Sequence, residues 1–163
     1  MAHLSRRQLL GGGAVALGAA MIGGITPVGA QPRGRFPFML TDAEWRRRLS
    51  ADAYAVLRHE GTERAGSSPL NGEHRHGTFV CAGCGQRLYS STTKFDSGTG
   101  WPSFWRPLLG AIGTSNDNSA GFARTEVHCA RCGGHLGHVF NDGPRPTGLR
   151  YCMNGVAMRF APG

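Results

Sequence analysis

The spacing of apolar residues changes once along this chain, at Gly61. Between Thr41 and Gly61 apolar positions follow a helical period. Trp45 and Leu49 lie four apart and share one face; Tyr54, Val56 and Leu57 are the apolar positions of a second helix. Thr41-Asp42-Ala43-Glu44 forms a capping box, in which the Thr41 oxygen takes the Glu44 N–H and the Glu44 carboxylate reaches back. Ser50 caps the second helix, and Gly61 is expected to end it in the left-handed conformation. Arg46, Arg47 and Arg48 are expected to face solvent.

After Gly61 the apolar runs are short, β-branched or aromatic, and separated by turn residues. Residues 78–80, 86–89, 126–128, 149–153 and 156–160 read as strands. Turn signals stand between them, among them Asp96-Ser97-Gly98, Asn141-Asp142-Gly143-Pro144 and Asn154-Gly155. Residues 114–120 read as a polar loop. The expected fold is a mainly β, antiparallel domain, barrel-like or two-sheeted, behind two or three N-terminal helices.

The first thirty residues have a different character. A short positive start with Arg6 and Arg7 precedes an uncharged, glycine-rich apolar run, and Val28-Gly29-Ala30 offers a cleavage site. This is the pattern of a signal peptide over residues 1–30, and Ser5-Arg6-Arg7-Gln8-Leu9-Leu10 looks like a twin-arginine export signal. The apolar run is short of the roughly twenty residues needed to span a bilayer, which weighs against a membrane anchor. Export to a bacterial periplasm follows, with no stable membrane association after cleavage. Residues 31–40 then form a linker and arm, and residues 41–163 one domain. Removing the segment and its two arginines from the formal charge of +8 leaves +6, nearly all of it arginine. Nucleic acid would suit such a surface; a soluble basic surface is the simpler reading.

Five cysteines impose an arithmetic. Cys81-Ala82-Gly83-Cys84-Gly85 and Cys129-Ala130-Arg131-Cys132-Gly133 each place two thiols around a tight turn. Each is half of a tetrahedral zinc site, so Cys81, Cys84, Cys129 and Cys132 are expected to hold one structural zinc. Forty-four residues separate the pairs, against about 15–20 in a nucleic-acid-binding ribbon. Cys152 is left over, either a small core residue or a nucleophile. With the zinc shell filled, His135 and His138 are surplus as ligands. They are either satisfied core histidines or proton carriers for a thiol, and Asn154 lies two residues from Cys152 on the same strand face.

The motifs Gly61-Thr62-Glu63-Arg64, Phe95-Asp96-Ser97-Gly98-Thr99-Gly100-Trp101-Pro102-Ser103-Phe104, Arg124-Thr125-Glu126-Val127, His135-Leu136-Gly137-His138-Val139-Phe140 and Gly148-Leu149-Arg150-Tyr151-Cys152-Met153-Asn154 together resemble the B-type methionine sulfoxide reductases, specific for the R epimer at sulfur. The resemblance runs from about Thr41 to Phe160. It implies that Cys152 attacks the sulfoxide sulfur, and that His135, His138 and Asn154 bind or protonate the sulfoxide oxygen. It further implies that Trp101 packs on the substrate methyl group, with Phe104 and Phe140 walling the pocket. The implied substrates are oxidised proteins or peptides containing methionine R-sulfoxide. Some members carry a resolving cysteine where this chain has Thr99, and Asn141 stands where proline is commoner. With the other four cysteines assigned to zinc, a thioredoxin-like protein or a small thiol is the expected reductant. A zinc-binding interaction module without catalysis is the alternative; it leaves Cys152 and the histidines unexplained. A zinc hydrolase would need an open metal position, which four cysteines do not leave. Nothing in the sequence demands more than a monomer.

Overall fold

Both halves of the capping box close in the computed structural model, which describes residues 34–163. Thr41 N donates to Glu44 Oε2 at 2.7 Å and Glu44 N donates to Thr41 Oγ1 at 3.4 Å, opening helix α1, Asp42–Arg48. Ser50 Oγ accepts from Ala53 N at 3.2 Å and opens α2, Ala51–His59. The end of α2 differs from expectation. Glu60, not Gly61, takes the left-handed conformation, with φ at 56°. Gly61 serves close approach instead: a Cβ there would sit 3.0 Å from the Ala55 carbonyl oxygen. The signal-peptide reading of residues 1–30 falls outside the described residues. Among those described, no helix is long and apolar enough to cross a membrane.

Nine strands follow: β1 Gly77–Cys81, β2 Arg87–Ser90, β3 Lys94–Phe95, β4 Ser103–Phe104, β5 Ile112–Asp117, β6 Arg124–Cys129, β7 His135–Phe140, β8 Arg150–Met153 and β9 Met158–Pro162. They form two antiparallel sheets among the described residues, ordered β2-β1-β9 and β3-β4-β8-β7-β6-β5. Neither sheet closes on itself, so the barrel-like alternative gives way to two sheets. Aromatic rings join them. Phe104 of the larger sheet stacks on Tyr89 of the smaller at 4.3 Å and meets Phe79 edge-on at 4.9 Å. Burying side chains of this size stabilises the fold by about 1.5–3 kcal/mol each. Helix α2 presses buried Val56 and Leu57 into the same core and packs along β7.

Two strand readings are corrected. Residues 114–120, read as a loop, largely belong to edge strand β5, which is polar because Thr114, Ser115 and Asn116 are exposed. Residues 156–160 divide into a 3₁₀ turn, Gly155–Ala157, and β9. The Glu63 carboxylate causes that break by accepting from Gly155 N at 2.6 Å and Val156 N at 2.9 Å.

Candidate active site

The two Cys-x-x-Cys turns have the same backbone. Each closes with a pair of hydrogen bonds, Cys81 N to Gln86 O and Gly85 N to Cys81 O in one, Cys129 N to Gly134 O and Gly133 N to Cys129 O in the other. Gly85 and Gly133 take φ of 76° and 68°, which the turn requires of them. The first turn leaves β1 of the smaller sheet and the second leaves β6 of the larger, so the four sulfurs meet between sheets. Cys81 Sγ lies 3.8 Å from Cys132 Sγ, and Cys84 Sγ 3.6 Å from Cys129 Sγ. All four ligand atoms lie within 4.8 Å of one another. Tetrahedral bonds of about 2.3 Å from sulfur to zinc put the sulfurs ~3.8 Å apart, so the donor set fits a metal ion of this kind. Hydrogen bonding among the four sulfurs and burial split their titration, pushing Cys81 and Cys132 up and Cys84 and Cys129 down. Four thiolates so close need a cation among them.

The remaining thiol lies on a rung across the larger sheet. Ser115 of β5 stands opposite Glu126 of β6, Glu126 opposite His138 of β7, His138 opposite Cys152 of β8, and Cys152 opposite Ser103 of β4. Directly opposed residues share a face, so five strands deliver this row to one side of the sheet. The neighbouring rung faces the other way: Thr114, Val127, Gly137 and Met153 are opposed in turn, and Val127 and Met153 are fully buried. Gly137 lets β7 and β8 close up there, since a Cβ would fall 2.1 Å from the Cys152 carbonyl oxygen.

Cys152 is half-buried in a cleft of about 140 Å³. His138, Asn154, Trp101 and Phe140 line it with Cys152, joined by Thr62, Arg124 and Gly137. Trp101 is held by its Nε1–H, which donates to the Glu63 carbonyl at 3.1 Å. Asn154 Oδ1 accepts from Glu63 N at 2.9 Å and Nδ2 donates to Leu136 O at 3.1 Å, which leaves one amide hydrogen unengaged. Thr99 Oγ1 lies 3.8 Å from Cys152 Sγ. His135 does not line the cleft: it is 3% exposed and its ring centroid lies 5.3 Å from that of His138. Phe104 is a correction. It follows Ser103 in a strand, so alternation turns it into the core, where it has no exposed surface and walls no pocket.

The SelR domain matches residues 49–162, most of the chain. The chain belongs to the SelR domain family. It is 54% identical over 123 residues to a peptide methionine sulfoxide reductase MsrB of Bradyrhizobium diazoefficiens, covering 75% of this chain and 88% of the relative. A protein of the same description from Thiobacillus denitrificans is 52% identical, with 75% and 93% covered, and one from Leptospira interrogans is 51% identical, with 74% and 92% covered. This SelR-family protein is accordingly an oxidoreductase, of the methionine sulfoxide reductase class.

The SelR chain has polar residues around the cleft that reading the sequence missed. Asp117 Oδ2 accepts from Arg124 Nη2 at 2.6 Å and lies 2.8 Å from His138 Nε2. Burial works to raise the Asp117 carboxyl, but hydrogen bonds from Ser119, His138 and Arg124 outweigh it and hold it well below the usual range. Burial lowers His138 below its ordinary 6.5, more than Asp117 raises it. Arg150 pairs with Asp142 at 2.8 Å and covers the Phe140 ring at 4.5 Å; the Asp142 hydrogen bond raises its pKa, and the nearby Cys152 adds to this. Apart from the Ser119–Asp117 turn, these pairings join residues seven or more apart, and no motif spacing announced them. Arg124 and Arg150 stood in the quoted motifs without a role, as did Glu126, a carboxylate between Thr125 and Val127 in a strand with a buried face.

Proposed function

We propose that the protein reduces the R epimer of peptide-bound methionine sulfoxide, with Cys152 as nucleophile. The supporting observation is a half-buried thiol facing His138 across one strand pair, in a cleft of about 140 Å³ that the Trp101 indole helps line. That volume suits one thioether-sized side chain rather than a folded surface. The Cys152 sulfur attacks the sulfoxide sulfur as the sulfoxide oxygen takes a proton. That attack joins the two sulfurs; the oxygen then passes to the Cys152 sulfur as the substrate S–O bond and the S–S bond both break, so that methionine leaves and Cys152 remains as a sulfenic acid. His138 lines the cleft as the proton carrier, and the free Asn154 amide hydrogen faces the oxygen. Trp101 offers its ring to the sulfur-bound methyl, which fixes the hand of the epimer accepted. Two external thiols then return Cys152 to the thiol, releasing water and their own disulfide. Thr99 has no thiol to offer Cys152, and the other four cysteines lie together at the sheet junction.

The metal at that junction is zinc in this reading, structural because four thiolates leave no open position. The substrates are oxidised proteins and peptides, the reductant a thioredoxin-like protein or small thiol, and the working unit a monomer. The N-terminal thirty residues direct export to the periplasm by the twin-arginine route, which N-terminal sequencing of the mature protein checks.

The activity test uses blocked methionine sulfoxide containing both epimers, with dithiothreitol, followed by chiral chromatography. Loss of the R epimer alone, abolished in Cys152→Ser, is the expected result. Folded, zinc-loaded protein that leaves both epimers untouched ends the proposal.

A further inference from the structure

Each of the two imidazoles behind Cys152 is held by its own carboxylate, and by opposite ring nitrogens. His135 Nδ1 lies 2.8 Å from Glu126 Oε1, while His138 Nε2 lies 2.8 Å from Asp117 Oδ2. An ionised carboxylate only accepts, so the ring nitrogen facing it carries the proton. Glu126 is 8% exposed, opposes His138 in register, and accepts on its other oxygen from the Ser115 hydroxyl. Asp117 is fixed in turn by Arg124 and by Ser119 N at 2.8 Å. His135 Nε2 is fully buried and has no hydrogen-bond partner among the described residues. A buried nitrogen without a partner is rare, and His128 Nδ1 and Arg124 Nε share this condition beside the same rings.

We propose that Glu126 and Asp117 are positioning residues for the reaction at Cys152, fixing His135 as its Nδ1–H form and His138 as its Nε2–H form. Both carboxylates come from β5 and β6, the strands farthest from Cys152 on this side of the sheet. His135 Nε2 and His138 Nδ1 are then left as the two nitrogens free to accept or deliver a proton. Crossed attachment gives the paired rings different free atoms. Both free nitrogens are then acceptors, one on the His138 ring that lines the cleft and one on His135 behind it, so the reaction meets one defined tautomer of each ring and each ring delivers a proton only after taking one up. The inference rests on the reductase reading above.

Other groups face these rings and must be held constant in the test. His135 is surrounded by Glu126 and His128 of β6, His138 of β7 and Glu60 at the end of α2. His138 faces Asp117 of β5, Arg124 of β6, His135, and Cys152 of β8.

The experiment combines ring-nitrogen NMR of the zinc-loaded protein at fixed pH with steady-state kinetics on the R epimer. Wild-type protein is expected to show a protonated Nδ1 on His135 and a protonated Nε2 on His138. Glu126→Gln and Asp117→Asn keep the shapes but present an amide that can donate. Each is expected to scramble its own histidine's tautomer and lower kcat by about 10- to 100-fold, with KM within about twofold. Either wild-type histidine protonated on the opposite nitrogen overturns the proposal, even if a variant fails to fold. So do folded variants whose kcat stays within twofold. Wild-type protein without turnover would instead sink the reductase reading and leave the tautomer measurement standing.

Discussion

The four knuckle cysteines and Cys152 carry the same side chain in opposed surroundings. Cys81, Cys84, Cys129 and Cys132 are buried, face one another across the junction of two sheets, and sit in turns whose backbone is fixed. Cys152 stands on a central strand apart from that cluster, with an imidazole on one side and hydroxyls on the other. The contrast shows that thiol chemistry here is set by which strands are neighbours. Sulfurs brought together invite a cation; a sulfur isolated among proton carriers is left free to react.

Breaking the two sites should have opposite signatures. Cys152→Ser is expected to abolish turnover, by at least about 10⁴-fold, with zinc content and Tm unchanged, because it removes one reactive atom and no packing. Cys81→Ser should do the reverse in order: zinc is lost first and the fold with it. Structural zinc contributes about 10–16 kcal/mol in small zinc-finger peptides, more than most domains have in total. Metal analysis with circular dichroism checks this; a stable, zinc-free Cys81→Ser protein would mean that the aromatic core alone joins the sheets.

Thr99→Cys tests the isolation of Cys152. With Thr99 Oγ1 at 3.8 Å from Cys152 Sγ, a thiol there should form a disulfide once Cys152 is oxidised. Peptide mapping of the oxidised variant is expected to find Cys152 linked to the introduced thiol, whereas wild-type protein accumulates the sulfenic acid. An intramolecular disulfide to Cys152 in wild-type protein would refute external reduction.

A smaller effect concerns pH. His138 titrates below its ordinary 6.5 in the folded state, so folding favours its neutral form. That contribution is complete above pH 6.5 and fades as pH falls through and below it. Asp117 and Glu126, both lowered from ordinary values of 3.8 and 4.5, lose their contributions only below those values. Zinc-loaded wild-type protein should therefore lose Tm between pH 7 and 5 more steeply than His138→Gln. Parallel curves would show that His138 does not contribute.

The sequence disclosed what is local. The capping box, the Cys-x-x-Cys turns and the strand carrying Cys152 each lie within a few residues, and the resemblance named four of the residues that line the cleft with it. What it hid is lateral. Strand β5 carries no buried alternation because it is an edge, so Ser115 and Asp117 read as loop residues. Phe104 and Ser103 are neighbours in a motif, yet a two-residue strand sends one to the core and the other to the rung. His135 and His138 look equivalent on the page, but a shift of register between Val127 and His128 puts one behind the other.

Strand alternation has one more effect. Met153 directly follows the nucleophile, and its thioether points into the core, wholly shielded, where the Tyr89 hydroxyl donates to its sulfur at 3.1 Å. Met39, in the arm, is 65% exposed. The oxidants that create this enzyme's substrates therefore reach its own surface at Met39, while the methionine beside its reactive thiol stays out of their path until the domain unfolds.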